Sequence, residues 1–255
     1  MRIVKIGGRP QANPRLSTII GDAWQSMPGG LCIVHGGGDE MSAMQRALGK
    51  HPEFVGGRRV TSEGDIELLR MVLSGVVNKR LVNAFLAVGL PAIGISGEDG
   101  ALIGAEAIDK AKLGFAGRPV KINADLLRSL LNAGYLPVIS PVAYDSSNPD
   151  GGALNVNGDD AAAAIAAALG AEELLLVSDV EGVRDADGVT FQSLSGDSAR
   201  ELIATGIAAG GMAAKIESAR EALAGGVGSV RICDLNGLFD DQVGTFITLS
   251  QSVAI

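Results

Sequence analysis

Apolar and polar positions along the chain follow two alternating periods. Short aliphatic, β-branched runs at Arg2–Ile6, Leu31–His35, Pro91–Ile95, Leu136–Ser140, Glu173–Ser178 and Val230–Cys233 predict strands. Between them, apolar residues recur three or four apart and predict helices at Leu16–Trp24, Asp39–Leu48, Asp65–Val88, Asn123–Ala133, an Ala-rich Asp159–Leu169, Asp197–Ala204 and Gly211–Ala224. The longest of these, Asp65–Val88, carries Leu68, Leu69, Val72, Val76 and Leu81 as its apolar positions. Phe54–Thr61 reads as a hairpin arm around Gly56-Gly57, Leu102–Val120 as short antiparallel strands, and Gly244–Leu249 as a closing strand. Asn123 is placed to cap its helix. Such alternation predicts a mainly parallel sheet with helices on both faces. Ser146–Gly152 reads as a lobe boundary or as a hairpin turn. In sheets of this kind ligands sit beyond the carboxyl ends of the strands, so function is to be sought there.

Composition narrows the classes. At 255 residues the chain has room for one large domain or two small lobes. A net charge of -8 without a basic block argues against nucleic acid as a partner, and 4% aromatic residues leave no stacking platform for single strands. No apolar run approaches the roughly 18 residues of a membrane span, and Met1–Lys5 lacks the layout of a signal peptide. Cys32 and Cys233 each lie in an apolar strand-like stretch and read as buried free thiols, which fits a reducing cytoplasm.

The strand ends carry the candidate chemistry. Lys5-Ile6-Gly7-Gly8 sets a lysine in the first strand and two glycines at its exit, either an anion cradle or an ordinary turn beside a snorkelling lysine. His35-Gly36-Gly37-Gly38 opens a helix with exposed N–H donors, without being a P-loop or a dinucleotide turn. His35 itself suits a structural hydrogen bond better than catalysis, and two histidines in all exclude a histidine-built metal site. Arg58 and Arg59 alternate on a strand-like arm, so one of them can face a site and fork a carboxylate. Asn155 and Asn157 share a face ahead of Asp159-Asp160, of which one can cap the following helix. Ser178-Asp179 closes a very apolar strand. Lys215 falls in the first turns of a helix, where its charge costs about a few tenths of a kcal/mol unless an anion sits there.

Lys5-x-Gly-Gly8, His35-Gly-Gly-Gly38, Gly57-Arg-Arg-Val-Thr61, Asn78-Lys79, Gly94-Ile-Ser-Gly-Glu-Asp-Gly100, Asn155-Val-Asn-Gly-Asp159, Ser178-Asp179 and Gly211-Met-Ala-Ala-Lys215 span nearly the whole chain. Together, in this order, they resemble the amino acid kinase family, and within it the enzymes acting on N-acetylglutamate. The resemblance implies an α/β fold, a three-layer αβα sandwich with an open, mainly parallel central sheet. Residues 1–150 would bind the acceptor and dimerise, and residues 151–255 would bind ATP. It implies that Lys5 and Lys215 stabilise the transferring phosphoryl group, with Asp159 holding both. Gly8, Gly37 and Gly38 would bind phosphoryl and acceptor oxygens, Arg59 the acceptor's α-carboxylate, and Asn155 its α-amide. Ser178, Asp179, Gly182, Ala209, Gly210, Gly211 and Met212 would line the nucleotide. Magnesium would arrive bound to ATP, with no protein-built metal site.

The implied chemistry is an ATP-dependent phosphorylation of the N-acetyl-L-glutamate side-chain carboxylate, in the cytoplasm and in arginine biosynthesis. A carboxylate with an ordinary pKa of about 4.3 is already ionised, so no general base is required. The chain opens on its first strand, without the leading helix by which arginine-inhibited members interlace as hexamers, and a homodimer insensitive to arginine is expected. Gly158 and Asp160 flank Asp159 where acetylglutamate enzymes more often have Ala at the first position. That pair is similar to sister kinases whose acceptor is aminoadipate or glutamate carried on a small amino-group carrier protein. A non-catalytic amino-acid or nucleotide sensor would be expected to lack a lysine or the aspartate, and a nicotinamide enzyme would need a dinucleotide turn.

Overall fold

The computed structural model describes residues 1–148 and 150–249. β1 (Arg2–Ile6) passes through a 3₁₀ turn at Arg9–Ala12 to α1 (Leu16–Ser26), β2 (Leu31–His35) and α2 (Gly38–Ala47). A separate two-stranded hairpin, β3 (Phe54–Val55) and β4 (Arg58–Arg59), precedes one long helix. That helix starts as α3 (Glu63–Leu69) behind a Ser62–Asp65 capping box, widens into a π-helical segment at Arg70–Val77 and resumes as α4 (Asn78–Ala87). Then come β5 (Ala92–Gly97), β6 (Ile103–Ala107), α5 (Lys110–Leu113), β7 (Ala116–Ile122) and α6 (Ala124–Asn132). Asn123 caps α6 as expected, its side chain accepting from Leu126 N–H. The chain continues through β8 (Leu136–Asp145), β9 (Ala153–Val156), α7 (Gly158–Leu169), β10 (Glu173–Val177), β11 (Ser193–Ser195), α8 (Gly196–Ala204), α9 (Gly210–Ala224), β12 (Ser229–Cys233) and β13 (Thr245–Thr248).

From β12 through β10, β1, β2 and β8 to β5 the sheet is parallel throughout. Alternate residues enter opposite layers. Ile3, Cys32, Val34, Leu174 and Leu176 pack with Leu127, Ala162, Ile216 and Ala219 from α6, α7 and α9. Val4, Ile6, Ile33, Leu175 and Val177 pack with Ile20, Leu69, Val77, Leu81 and Phe85 from α1 and the long helix. Both faces are buried, which explains the unbroken apolar runs and gives the expected three layers.

The open sheet is modified at one end. Up to Ser140, β8 lies between β2 and β5; beyond Pro141, which has no N–H to donate, it keeps Gly97 of β5 opposite Ala143 across a register shift and pairs with β6 and β9. Since β6 pairs β7 and β7 pairs β9, these four strands close a small mixed ring. Ser146–Gly152 joins antiparallel β8 and β9 and is thus the hairpin alternative; Pro149 within it lies outside the described residues, as do residues 250–255 at the end of the expected second lobe.

The long helix corrects one expectation. Val76, read as an apolar-face position, is 58% exposed, whereas Leu69, Leu73, Val77, Leu81 and Phe85 are buried. These five are spaced by four. On an α-helix a spacing of four drifts by about 40° per step, and the wider π turns reverse that drift, so one stripe stays on the sheet. Cys32 and Cys233 are buried, unpaired and in opposite layers, and burial pushes both thiols up to about 12. Among the described residues no helix is long and apolar enough to cross a membrane.

Candidate active site

Strand alternation aims the first lysine. Ile3 faces the α7–α9 layer, so Lys5, two residues on, faces it too. Its Nζ lies 2.9 Å from Asp159 Oδ1, and Lys215 Nζ, from the second turn of α9, donates to the same oxygen at 3.0 Å. All three groups are buried. Asp159 is available because neither aspartate caps α7, so the capping alternative does not hold. Asn157 does so, accepting from Asp159 N–H at 2.8 Å, since its short side chain sits one position earlier with extended backbone. Burial opposes ionisation of Asp159, but Lys215 and Lys5 outweigh it and hold the carboxyl well below its usual range. Burial lowers the Lys215 pKa; Asp159 counters this, and Lys5 adds to it. Two ammonium groups against one carboxylate leave an excess positive charge in a buried place, an arrangement that calls for an anion.

The two glycine turns meet this centre. Gly7 N–H donates to Val177 O and Gly36 N–H to Ile6 O, so both loops leave the sheet edge together. Gly37 caps α2 and Gly38 begins it, giving their N–H groups the positive end of a helix. A cleft of about 220 Å³ brings together Lys5, Gly8, Gly37, Gly38, Arg59, Asn155 and Asp159, gathered from both halves of the sequence. A Cβ on Gly158 would sit 3.2 Å from Lys5 Cε, so glycine there gives the lysine stem its passage.

As alternation requires, the two arginines of β4 part company. Arg59 is buried, its Nη2 donating to Gly38 O (2.9 Å) and Ser42 Oγ (2.7 Å), its Nη1 to Gln45 Oε1, and its plane 4.6 Å over Phe54. Gln45 is fixed in turn on Asp65 (3.1 Å), whose carboxylate also receives Lys50 (3.0 Å). Three of five guanidinium N–H groups are thereby used, and the others remain for a ligand. Asn155 donates to Thr61 Oγ1 at 2.9 Å, leaving its Oδ1 as an acceptor beside the cleft. Ser42 and Gln45 were missed in the sequence; their one signal is that they fall four and seven residues after Gly38, on one helix face.

His35 is structural, as expected. Asn78 Nδ2 lies 3.0 Å from its Nε2 and donates to Val138 O (2.9 Å), while His35 Nδ1 meets Gly36 O at 2.9 Å. Burial lowers the imidazole to about 4, so it is neutral, donating from Nδ1 and accepting at Nε2. It anchors the glycine turn.

The other expected residues lie beyond β10. Ser178 and Asp179 line a second cleft of about 450 Å³ with Arg9, Pro10, Asp234 and Asn236. Arg9 pairs with Asp179 across it, and that hydrogen bond holds the carboxyl below its ordinary value. Ala209, Gly210 and Gly211 are exposed at the start of α9, with Met212 half-buried behind them; no side chain caps that helix, and Met212 N–H turns back onto Ala209 O at 3.2 Å. Gly182 does not join this group. It is buried against the sheet edge, where a Cβ would lie 2.5 Å from Thr245 Oγ1.

Known proteins resemble this chain in sequence and in fold. The model of the amino acid kinase family matches residues 1–234. The acetylglutamate kinase of Ruegeria sp. (strain TM1040) is 47% identical over 202 residues, 79% of this chain and 69% of that one. The acetylglutamate kinase of Geobacillus thermodenitrificans (strain NG80-2) is 44% identical over 212 residues, 83% of this chain and 81% of its own. Among solved structures, smu.665 from Streptococcus mutans UA159 superposes with a TM-score of 0.87 at 30% identity, covering 97% of this chain and 98% of that one. A paired-lysine centre at the strand ends, two glycine turns above it and a family match over most of the length lead to one assignment: the chain belongs to the amino acid kinase family.

Proposed function

We propose that this protein is an acetylglutamate kinase, transferring the γ-phosphoryl group of ATP to the side-chain carboxylate of N-acetyl-L-glutamate in arginine biosynthesis. The observation that carries the reading is the pair of ammonium groups on one Asp159 oxygen at the edge of a glycine-lined cleft. Identity of 44–48% to acetylglutamate kinases supports the acceptor.

The acceptor carboxylate is ionised at neutral pH, so the task is to bring two anions together and stabilise charge spreading over the phosphoryl oxygens. Lys5 and Lys215 supply that charge, and Asp159 keeps both in place before substrate arrives, so little reorganisation remains for the transition state. The Gly8, Gly37 and Gly38 amides receive phosphoryl and carboxylate oxygens. Arg59 takes the α-carboxylate, and Asn155 accepts from the acetamido N–H. Ser178, Asp179 and Ala209–Met212 border the nucleotide, whose phosphates carry the magnesium. We further propose a cytoplasmic homodimer formed through the acceptor half, where Met71 and Val76 of the long helix are 61% and 58% exposed.

Incubating purified protein with Mg-ATP, N-acetyl-L-glutamate and hydroxylamine tests the reaction, because the acyl phosphate product is trapped as a hydroxamate. ATP-dependent hydroxamate supports the proposal. Turnover of carrier-linked aminoadipate with none of N-acetyl-L-glutamate would overturn the acceptor, and absence of both would overturn the kinase.

A further inference from the structure

The kinase reading leaves the buried Asp160 without a task. Asp160 follows the lysine-holding Asp159 yet touches neither lysine; it pairs with Arg58 and accepts from Ser218 Oγ at 2.6 Å. It is 4% exposed, and its two partners come from distant parts of the chain, Arg58 from the β3–β4 hairpin and Ser218 from α9. Each member adjoins a residue of the reaction centre. Arg58 precedes Arg59, Asp160 follows Asp159, and Ser218 lies one helical turn beyond Lys215.

The hairpin meets α9 a second time, at its tip. Gly57 holds a φ of +76°, and a Cβ on it would lie 2.8 Å from Gly210 O and 3.4 Å from Ala214 Cβ. Beyond these contacts and the bonds of Arg59 to α2 the hairpin has little of its own to hold it. Its ladder is two residues long on each strand, it is separate from the main sheet, and Phe54 and Val55 are exposed at 55% and 50%. A short isolated hairpin is marginal by itself, so Arg59 fixes its α2 side while its tip and Arg58 fix its α7–α9 side.

We propose that Arg58, Asp160 and Ser218 form a latch that seats the acceptor-binding hairpin against α7 and α9, making Arg58 a positioning residue for Arg59. One partner of the ion pair, Asp160, is buried and hydrogen-bonded, whereas Arg58 is reached by water through the cleft it shares with Arg118 and Glu221. With the latch closed, Arg59 borders the acceptor cleft and the hairpin tip touches α9 at Gly210 and Ala214. With it open, the hairpin is held on its α2 side alone and loosens, so Arg59 loses part of its preorganisation, which weakens acceptor binding more than it slows chemistry. The proposal rests on the kinase reading for its kinetic arm only.

The test compares wild type, Arg58→Ala, Arg58→Lys, Asp160→Asn and the Arg58→Ala/Asp160→Asn double variant. Two measurements are made: steady-state constants for N-acetyl-L-glutamate at saturating Mg-ATP, and amide hydrogen exchange of residues 52–61 without substrates. Expected are an acceptor KM raised about 5- to 30-fold in Arg58→Ala, a smaller fall in kcat, and partial rescue by Arg58→Lys. The double variant should be no worse than the poorer single one, because both remove the same contact. Hairpin exchange should rise in Arg58→Ala while α7 and β1 stay protected. Unchanged hairpin exchange in Arg58→Ala overturns the latch whatever the enzyme turns over, as does a double variant whose effect is the product of the singles. Inactive wild type overturns the kinase reading and leaves the exchange result to decide the latch. Arg58 is half-exposed, so its variants retain the core even if Asp160→Asn folds poorly.

Discussion

The half of the site proposed for the acceptor and the half proposed for the nucleotide are built to different standards. On the acceptor side, Arg59 is buried, shared among Gly38, Ser42 and Gln45, and backed by Asp65 and Lys50 before any ligand arrives. On the nucleotide side, Asp179 is held by an exposed arginine, and the start of α9 lies open to water. Ordering of the first kind was completed during folding, so its groups bind without reorganising. Contacts of the second kind compete with solvent and are worth little each. The paired lysines, buried between the halves, belong to the first kind.

This contrast orders the expected effects of mutation. Lys215→Ala or Lys5→Ala should lower kcat by about 100- to 1,000-fold in the hydroxamate assay, as loss of a preorganised donor to developing charge does; near-native turnover would remove the centre from the mechanism. Arg59→Ala should raise the acceptor KM by about 10- to 100-fold with a lesser change in kcat, measured at saturating ATP. If the ATP KM rose instead, the two halves would have been assigned the wrong way round.

Titration gives the next largest effect. Because burial lowers the Lys215 pKa, kcat/KM for ATP should fall on the alkaline side with a midpoint below the ordinary 10.5, by about tenfold per pH unit beyond it. Lys215→Arg should shift that limb upward. Stability moves the other way. The folded state sheds this proton before the unfolded chain does, so the contribution of Lys215 to stability rises with pH between its lowered value and 10.5. For Asp159, whose folded pKa is depressed, the stabilisation is present above about pH 4 and is lost only as pH falls through the folded value. Smallest of all, Asp179→Asn should raise the ATP KM by about two- to fivefold, since an exposed pair is lost; a larger effect would show that half to be better ordered than its exposure implies.

Part of the candidate site was legible because the sequence set residues of the right chemistry at element ends. Lys5 and the Gly36–Gly38 turn stood out at strand exits and Lys215 in the first turns of a helix, whereas the meeting of both lysines on Asp159 came from the family resemblance; parallel strands put their ends side by side. The support around them was not legible. Ser42 and Gln45 are an ordinary polar helix face until the hairpin folds over them, and the Arg58–Asp160 pair joins residues 102 positions apart. Local pattern carries no trace of such closures. Likewise, Gly182 has the sequence setting of an open turn and is closed off by Thr190 and by Thr245 from the last described strand.

The widened turns at Arg70–Val77 have a consequence for any attempt to edit this chain. They act as a phase corrector, absorbing surplus length so that two helical stretches share one buried stripe. Removing a single residue such as Ser74 would only take out that surplus, whereas adding one to the α-helical Glu63–Leu69 would rotate everything after it by about 100°. Asn78 would then lose His35 and Val138, releasing the glycine turn that faces the lysines, so an insertion far from the chemistry would be felt there first.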